Sequence, residues 1–158
     1  MDGDEKGPEL PDQNVIVLVA TAILNNKKIL VVREEDDPYN RRWVLPQGYV
    51  GTDETLVEGA RREVREELGF EVTIVRPIGV YEDFVKQRDT TLHYITICYL
   101  GRAPTNVRIH TSEEVIDSAW IDPSDEFNDA PAVVQKMLKD VAQVSKEHRP
   151  LRSLRLGS

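Results

Sequence analysis

Three rhythms of apolar and polar positions run along this chain, and each predicts a different element. Asn14 to Leu24 is a long run of mostly Val, Ile, Leu and Ala, and Ile29 to Val32 is a shorter one. Turn residues Asn25-Asn26-Lys27-Lys28 lie between them, so the pair is expected to form a hairpin. Glu34 to Arg42 is polar, contains Pro38 and reads as a loop. Trp43 to Leu45 reads as a short strand stopped by Pro46, since proline cannot donate to a ladder. Glu71 to Tyr81 and Thr91 to Gly101 are expected strands, with Asp83 to Thr90 as a polar connection between them. His93, Ile95, Ile97 and Tyr99 fall on one face of the second. After a loop from Arg102 to Ser112, Val115 to Ile121 reads as a further strand.

Helical spacing appears twice. Thr55 and Glu58 have the spacing of a capping box, and Gly69 stands where a left-handed C-cap is wanted. Between them Leu56, Val57, Ala60, Val64 and Leu68 fall within an arc of about 120°, which predicts an amphipathic helix packed on a sheet. Pro131 opens a second helix whose apolar positions are Val133, Val134, Met137, Leu138 and Val141. Strands and helices mixed in this way predict an α/β or α+β sandwich.

Composition adds boundaries. The chain has 158 residues, the length of one domain, with 40% apolar residues, as in ordinary globular proteins. No apolar run approaches the roughly 20 residues that span a bilayer, so no membrane association is expected. Residues 1–13 are polar and read as a flexible leader without signal-peptide character, residues 14–147 as the folded domain, and residues 148–158 as a basic tail. The single Cys98 excludes an intramolecular disulfide, fits a reducing, cytoplasmic compartment, and sits within a strand pattern as a core residue. A net charge of -8 disfavours nucleic-acid binding through a broad basic surface. An acidic protein still holds a phosphorylated ligand if cations stand between the two.

The first helix carries the chemistry. Glu63, Glu66 and Glu67 share an arc of about 100° beside the apolar stripe, and like charges at such spacing repel. Hard carboxylate oxygens in that arrangement suit magnesium or manganese. The alternative is a solvated face on which Arg61, Arg62 and Arg65 pair with the glutamates. The wider pattern decides between them: Gly48, five residues, Glu54, seven residues, then Arg62-Glu63-Val64-Arg65-Glu66-Glu67-Leu68-Gly69-Phe70. With average residue frequencies a chance match in a chain this long has odds of about 10⁻⁸. The segment resembles the Nudix box, Gly-x5-Glu-x7-Arg-Glu-U-x-Glu-Glu-x-Gly-U with U apolar. Trp43-Val44-Leu45-Pro46-Gln47-Gly48 before it and Ala119-Trp120-Ile121-Asp122 after it extend the likeness over roughly residues 14–147.

That resemblance implies an α/β/α sandwich around a mixed sheet and a metal-dependent hydrolase that cleaves a diphosphate linkage in a nucleotide-like small molecule. It implies Mg²⁺ or Mn²⁺ held by Glu66, Glu67, Glu63 and the carbonyl of Gly48. Glu63 is a further ligand or positions the attacking water, Arg62 orients the carboxylates, and Glu54 steadies the loop before the helix. A carboxylate from a later loop serves many members as base or extra ligand. Glu114 is favoured here over Glu113, with ordinary loop acids as the alternative, and His110 is a weaker candidate base.

Substrate choice is less legible. Arg33, Arg41 and Arg42 are candidate phosphate contacts. Tyr39, Tyr81 and Phe84 are candidates to stack on a base, with packing as the alternative. His93 is expected to be buried and hydrogen-bonded. Pro46-Gln47-Gly48 is similar to the corresponding segment of dinucleoside polyphosphate and RNA-end pyrophosphohydrolases. It leans the reading toward dinucleoside polyphosphates or nucleoside triphosphates, and leaves an RNA 5′ end as the one nucleic-acid partner to consider. ADP-ribose and nucleotide sugars are alternative substrates, and a catalytically silent nucleotide sensor is the alternative function. The family resemblance is also compatible with a homodimer.

Overall fold

The computed structural model describes residues 7–9, 14–35 and 39–147. Most of the expected leader, the basic tail and Pro38 lie outside the described residues.

Six strands and two helices follow one another in the order β1 (Val15–Asn25), β2 (Lys28–Glu34), β3 (Gln47–Tyr49), α1 (Leu56–Leu68), β4 (Thr73–Gln87), β5 (Thr90–Arg102), β6 (Val115–Ile121) and α2 (Ala132–Glu147). They form one mixed sheet in the order β4-β5-β1-β2-β6, with β3 added alongside β1. The β1–β2 hairpin closes on Asn26 and Lys27, whose φ values of 50° and 67° are both left-handed, as a type I′ turn requires. The two strands pair only at Leu24↔Ile29 and Asn25↔Lys28. Beyond that they splay, and β3 fills the gap on β1 through Leu18↔Tyr49, Val19↔Gly48 and Ala20↔Gln47. This insertion brings Gly48 beside α1.

The sheet separates the helices. Successive residues of β5 point to opposite faces. Thr96 pairs with Tyr81, whose hydroxyl donates to Asp140 of α2 at 2.7 Å. Ile97 pairs with Val19, which packs with Ala60 of α1 and Tyr99. The two helices therefore cover opposite faces, giving the α/β/α sandwich. Among the described residues no helix is long and apolar enough to cross a membrane. The fully buried Ile23, Ile29, Leu30, Leu45, Leu68 and Met137 fill the core, and the Cys98 thiol is buried with them. Burial pushes that thiol up to about 12.

Four expectations are corrected. The segment Trp43 to Leu45 contributes only a single bridge, Val32↔Val44, and the strand begins after Pro46, whose carbonyl accepts from the Thr21 N–H at 2.9 Å. Residues 83–87 extend β4 and Thr90 begins β5, so the polar connection shrinks to Arg88 and Asp89. Leu56 and Val57 stay over one-third exposed, and burial along α1 begins only at Gly59 and Ala60. His93 is half-buried rather than buried, hydrogen-bonded as expected, here to Glu82 at 2.7 Å, and stacked on Phe84.

Candidate active site

The start of α1 is built as its sequence dictates. The Thr55 hydroxyl accepts from the Glu58 N–H at 3.1 Å, and the Glu58 carboxylate accepts from the Thr55 N–H at 3.0 Å. Just upstream, Glu54 accepts from the Gly51 N–H at 2.6 Å and receives two donors from Arg62 at 2.7 and 2.9 Å. The Arg62 guanidinium and the Gly51 N–H hold the Glu54 carboxyl down at about 2. Arg62 also donates to the Tyr49 carbonyl at 2.9 Å, and to Glu63 and Glu66 at 3.0 Å each. One side chain thus ties the preceding loop, β3, Glu63 and Glu66 together.

The far end of α1 positions a second segment. Gly69 takes a left-handed φ of 77°, and its N–H caps the Arg65 carbonyl at 3.0 Å. The helix leaves its last carbonyls without intrahelical partners. Two of them are taken by the loop before β6: His110 N–H donates to Leu68, and Ser112 N–H to Glu67, each at 2.9 Å. The loop is thereby held with Glu113 and Glu114 beside the helix glutamates.

Between these anchors lies a cleft of about 610 Å³. Its walls are Glu34 from β2, β3 itself, Glu63, Glu66 and Glu67 from α1, and Ser112 to Glu114 from the loop. Six glutamates and no basic side chain line it among the described residues, so it would repel a bare phosphate. Glu67 is only 5% exposed, and its Oε2 is buried without a hydrogen-bond partner. Burial, with the Glu34 and Glu63 carboxylates close by, drives its carboxyl up to about 10. Glu63 is raised as well, first by burial, although Glu67 and Arg62 hydrogen-bond to it. Gly48 fits this arrangement tightly: a Cβ there would stand 2.1 Å from Glu63 Cδ.

A buried, unpartnered carboxylate oxygen among other carboxylates is costly unless a cation compensates it. Hard oxygen donors of this kind fit a divalent ion such as Mg²⁺ or Mn²⁺. Among the described residues no three or more acidic, His or Cys side chains already meet the geometry of a formed metal centre. Glu63 and Glu66 are each hydrogen-bonded to Arg62 instead, at 3.0 Å.

A NUDIX domain model matches residues 15–141. The chain belongs to the Nudix family. Among curated relatives, the nucleoside triphosphatase NudI of an Enterobacter species is 34% identical over 66% of this chain and 79% of its own length. The ADP-ribose pyrophosphatase of Methanocaldococcus jannaschii is 32% identical over 53% of this chain, and the match spans about half of that protein, 48%. A NUDIX hydrolase structure from Nitrosomonas europaea superposes with a TM-score of 0.71 at 23% identity, over 89% of this chain and 77% of that one. An Ap4A hydrolase from C. elegans gives 0.68 at 18% identity, over 84% and 98%.

Of the candidates read from the sequence, Gly48, Glu63, Glu66, Glu67 and Glu114 line the Nudix cleft, and Arg62 touches it through two glutamates. The proposed substrate contacts do not line it. Tyr81 is buried against α2 through Asp140, so it packs rather than presents its ring. Phe84 is 64% exposed but on the β4–β5 hairpin, stacked on His93. Arg33 lies over the Trp43 ring and donates to the Arg41 carbonyl at 2.7 Å. Arg41 pairs with Glu35, and Arg42 donates to the Ala130 carbonyl at 2.7 Å. Tyr39 donates to Asp83 at 2.8 Å. His110 packs on Gly69 and is not among the cleft residues. Glu34 and Ser112 line the cleft without having been singled out: an acid ending a strand and a serine in a loop carry no local signal.

Proposed function

We propose that this Nudix protein is a metal-dependent pyrophosphohydrolase that cleaves a diphosphate linkage in a nucleoside diphosphate derivative. The observation that carries the reading is the buried, unpartnered Glu67 oxygen in a cleft of six glutamates. Only a ligand bearing or bridged by cations is attracted to such a surface. Glu63, Glu66, Glu67 and the Gly48 carbonyl would hold Mg²⁺ or Mn²⁺. When bound, such an ion neutralises phosphate oxygens and lowers the pKa of water from about 15.7 toward neutrality.

The chain's own residues supply the rest. Arg62 fixes Glu63 and Glu66 at 3.0 Å and so limits the positions their carboxylates take. Glu114, which lines the cleft on the loop tethered to α1, would accept a proton from the attacking water. The substrate reading leans toward dinucleoside polyphosphates or nucleoside triphosphates. It is supported by Gln47 beside Gly48, by the nucleoside triphosphatase relative and by the Ap4A hydrolase among the structural neighbours. ADP-ribose belongs on the test panel because another relative is named for it.

The test incubates the protein with Mg²⁺ or Mn²⁺ and dinucleoside polyphosphates, nucleoside triphosphates, ADP-ribose or nucleotide sugars, and separates the products by chromatography. Metal-dependent cleavage that Glu66→Gln/Glu67→Gln loses is expected. Metal-dependent binding with no turnover on any member would refute the enzyme and leave a nucleotide sensor.

A further inference from the structure

The cleft contains one acid that comes neither from the helix nor from the loop before β6. Glu34 ends β2, on a different element from Glu63, Glu66 and Glu67. The β2–β6 ladder is irregular there: Arg33 pairs with Asp117 but Glu34 pairs with Val115, so Ile116 is an extra residue on β6. Such a bulge sharpens the twist and re-aims side chains. Arg33 is turned onto Trp43 and the Arg41 carbonyl, and Glu34, its neighbour along the strand, is turned into the cleft. The next residue is locked as well, because the Glu35 N–H donates to the Glu114 carbonyl at 2.8 Å.

We propose that Glu34 is a further carboxylate donor to the cation site, delivered from the sheet to face the donors of α1. Its carboxyl lies within hydrogen-bonding reach of Glu67, and its Oε1 is sealed from solvent. The unpartnered Oε2 of Glu67 belongs to a residue only 5% exposed that lines the same cleft as Glu34. Donors along one helix span only one side of an ion, whereas a hard divalent cation takes six or more oxygens around it. Beside the Gly48 carbonyl of β3, Glu34 would add a charged donor from β2, with water and substrate oxygens completing the shell. The inference rests on the metal reading of the cleft and adds to it a carboxylate ligand from the sheet.

The test measures Mn²⁺ binding to the full chain by electron paramagnetic resonance, without substrate, for wild type, Glu34→Gln, Glu67→Gln and Glu35→Gln. Thermal unfolding in EDTA and in Mn²⁺ accompanies each measurement. Glu34→Gln is expected to weaken Mn²⁺ binding at least tenfold and to lose most of the Mn²⁺-induced rise in Tm. In EDTA it should melt no lower than wild type, since it removes a like charge. Glu35→Gln, on the solvent side, should bind as wild type does. If Glu34→Gln does not fold, Glu34→Asp takes its place, with the same tenfold criterion for the lost reach. Wild-type affinity in the folded Glu34 variant, with binding lost in Glu67→Gln, overturns the role of Glu34 and leaves the metal site standing. No Mn²⁺ binding to wild type overturns both.

Discussion

Replacing Gly48 with alanine probes how closely the strand must approach the helix. An ideal Cβ at Gly48 would lie 2.1 Å from Glu63 Cδ and 2.3 and 2.4 Å from its two oxygens. Ordinary contact begins near 3.4 Å, so the Glu63 carboxylate must retreat by more than an ångström. The Glu63 carboxylate is half-buried and held at 3.0 Å by Arg62, so its retreat breaks or bends that bond. Overpacking of this kind costs about 1–3 kcal/mol of stability. A misplacement of about 1 Å in a reacting array costs about 10²-fold in rate. Gly48→Ala is therefore expected to remain folded, with a urea midpoint shifted modestly, while kcat on the best substrate falls by about two orders of magnitude. Shortening the neighbour, as Gly48→Ala/Glu63→Asp, removes most of the overlap and should restore the urea midpoint. A folded Gly48→Ala variant with kcat within twofold of wild type would refute the reasoning.

Other consequences are measurable. Lys27 holds a φ of 67° without being glycine, so Lys27→Gly should stabilise the hairpin by about 0.5–1 kcal/mol in urea titrations. Tyr81→Phe leaves Asp140 short of a donor and should cost about 1–2 kcal/mol. It should leave KM and kcat unchanged, and a raised KM would restore Tyr81 as a substrate contact. Glu54 is held near 2, below the ordinary 4.5, so its bond to Arg62 contributes stability above pH 4.5 that is lost as pH falls through 2. Glu54→Gln should accordingly flatten the acid limb of a Tm–pH profile over that window, and an unchanged limb would deny the linkage. The Cys98 thiol, buried and pushed up to about 12, should resist thiol reagents at pH 8 in the native protein and react fully in guanidinium.

What was legible in the sequence was what is decided locally. The ends of α1 were readable because a capping box and a left-handed glycine act within a few residues. The hairpin turn was readable from Asn25 to Lys28 for the same reason. The outer half of β4 was hidden because residues 82–87 lie largely on exposed surface, at an edge held by backbone bonds to β5, so apolar alternation is weak there. β3 was displaced because Pro46 ends one pattern while its carbonyl starts the pairing that follows. The spacing of Glu63, Glu66 and Glu67 placed three acids at the cleft. The inward turn of Glu34 depends on a bulge in another strand, and no spacing along the chain records it. The arginines near β2 went to backbone carbonyls, an aromatic ring and Glu35, partners that only the fold supplies.

Glu67 serves the molecule twice, with its side chain in the cleft and its carbonyl holding Ser112. The second role is main chain to main chain, as is the neighbouring bond from His110 to Leu68, and such bonds are indifferent to side-chain identity. The loop can therefore exchange the side chains at residues 113 and 114, which line the cleft, while its path stays pinned to the helix. Scaffold and chemistry are thereby mechanically uncoupled: side chains on the pinned loop can change while the backbone that carries them keeps its alignment with the helix.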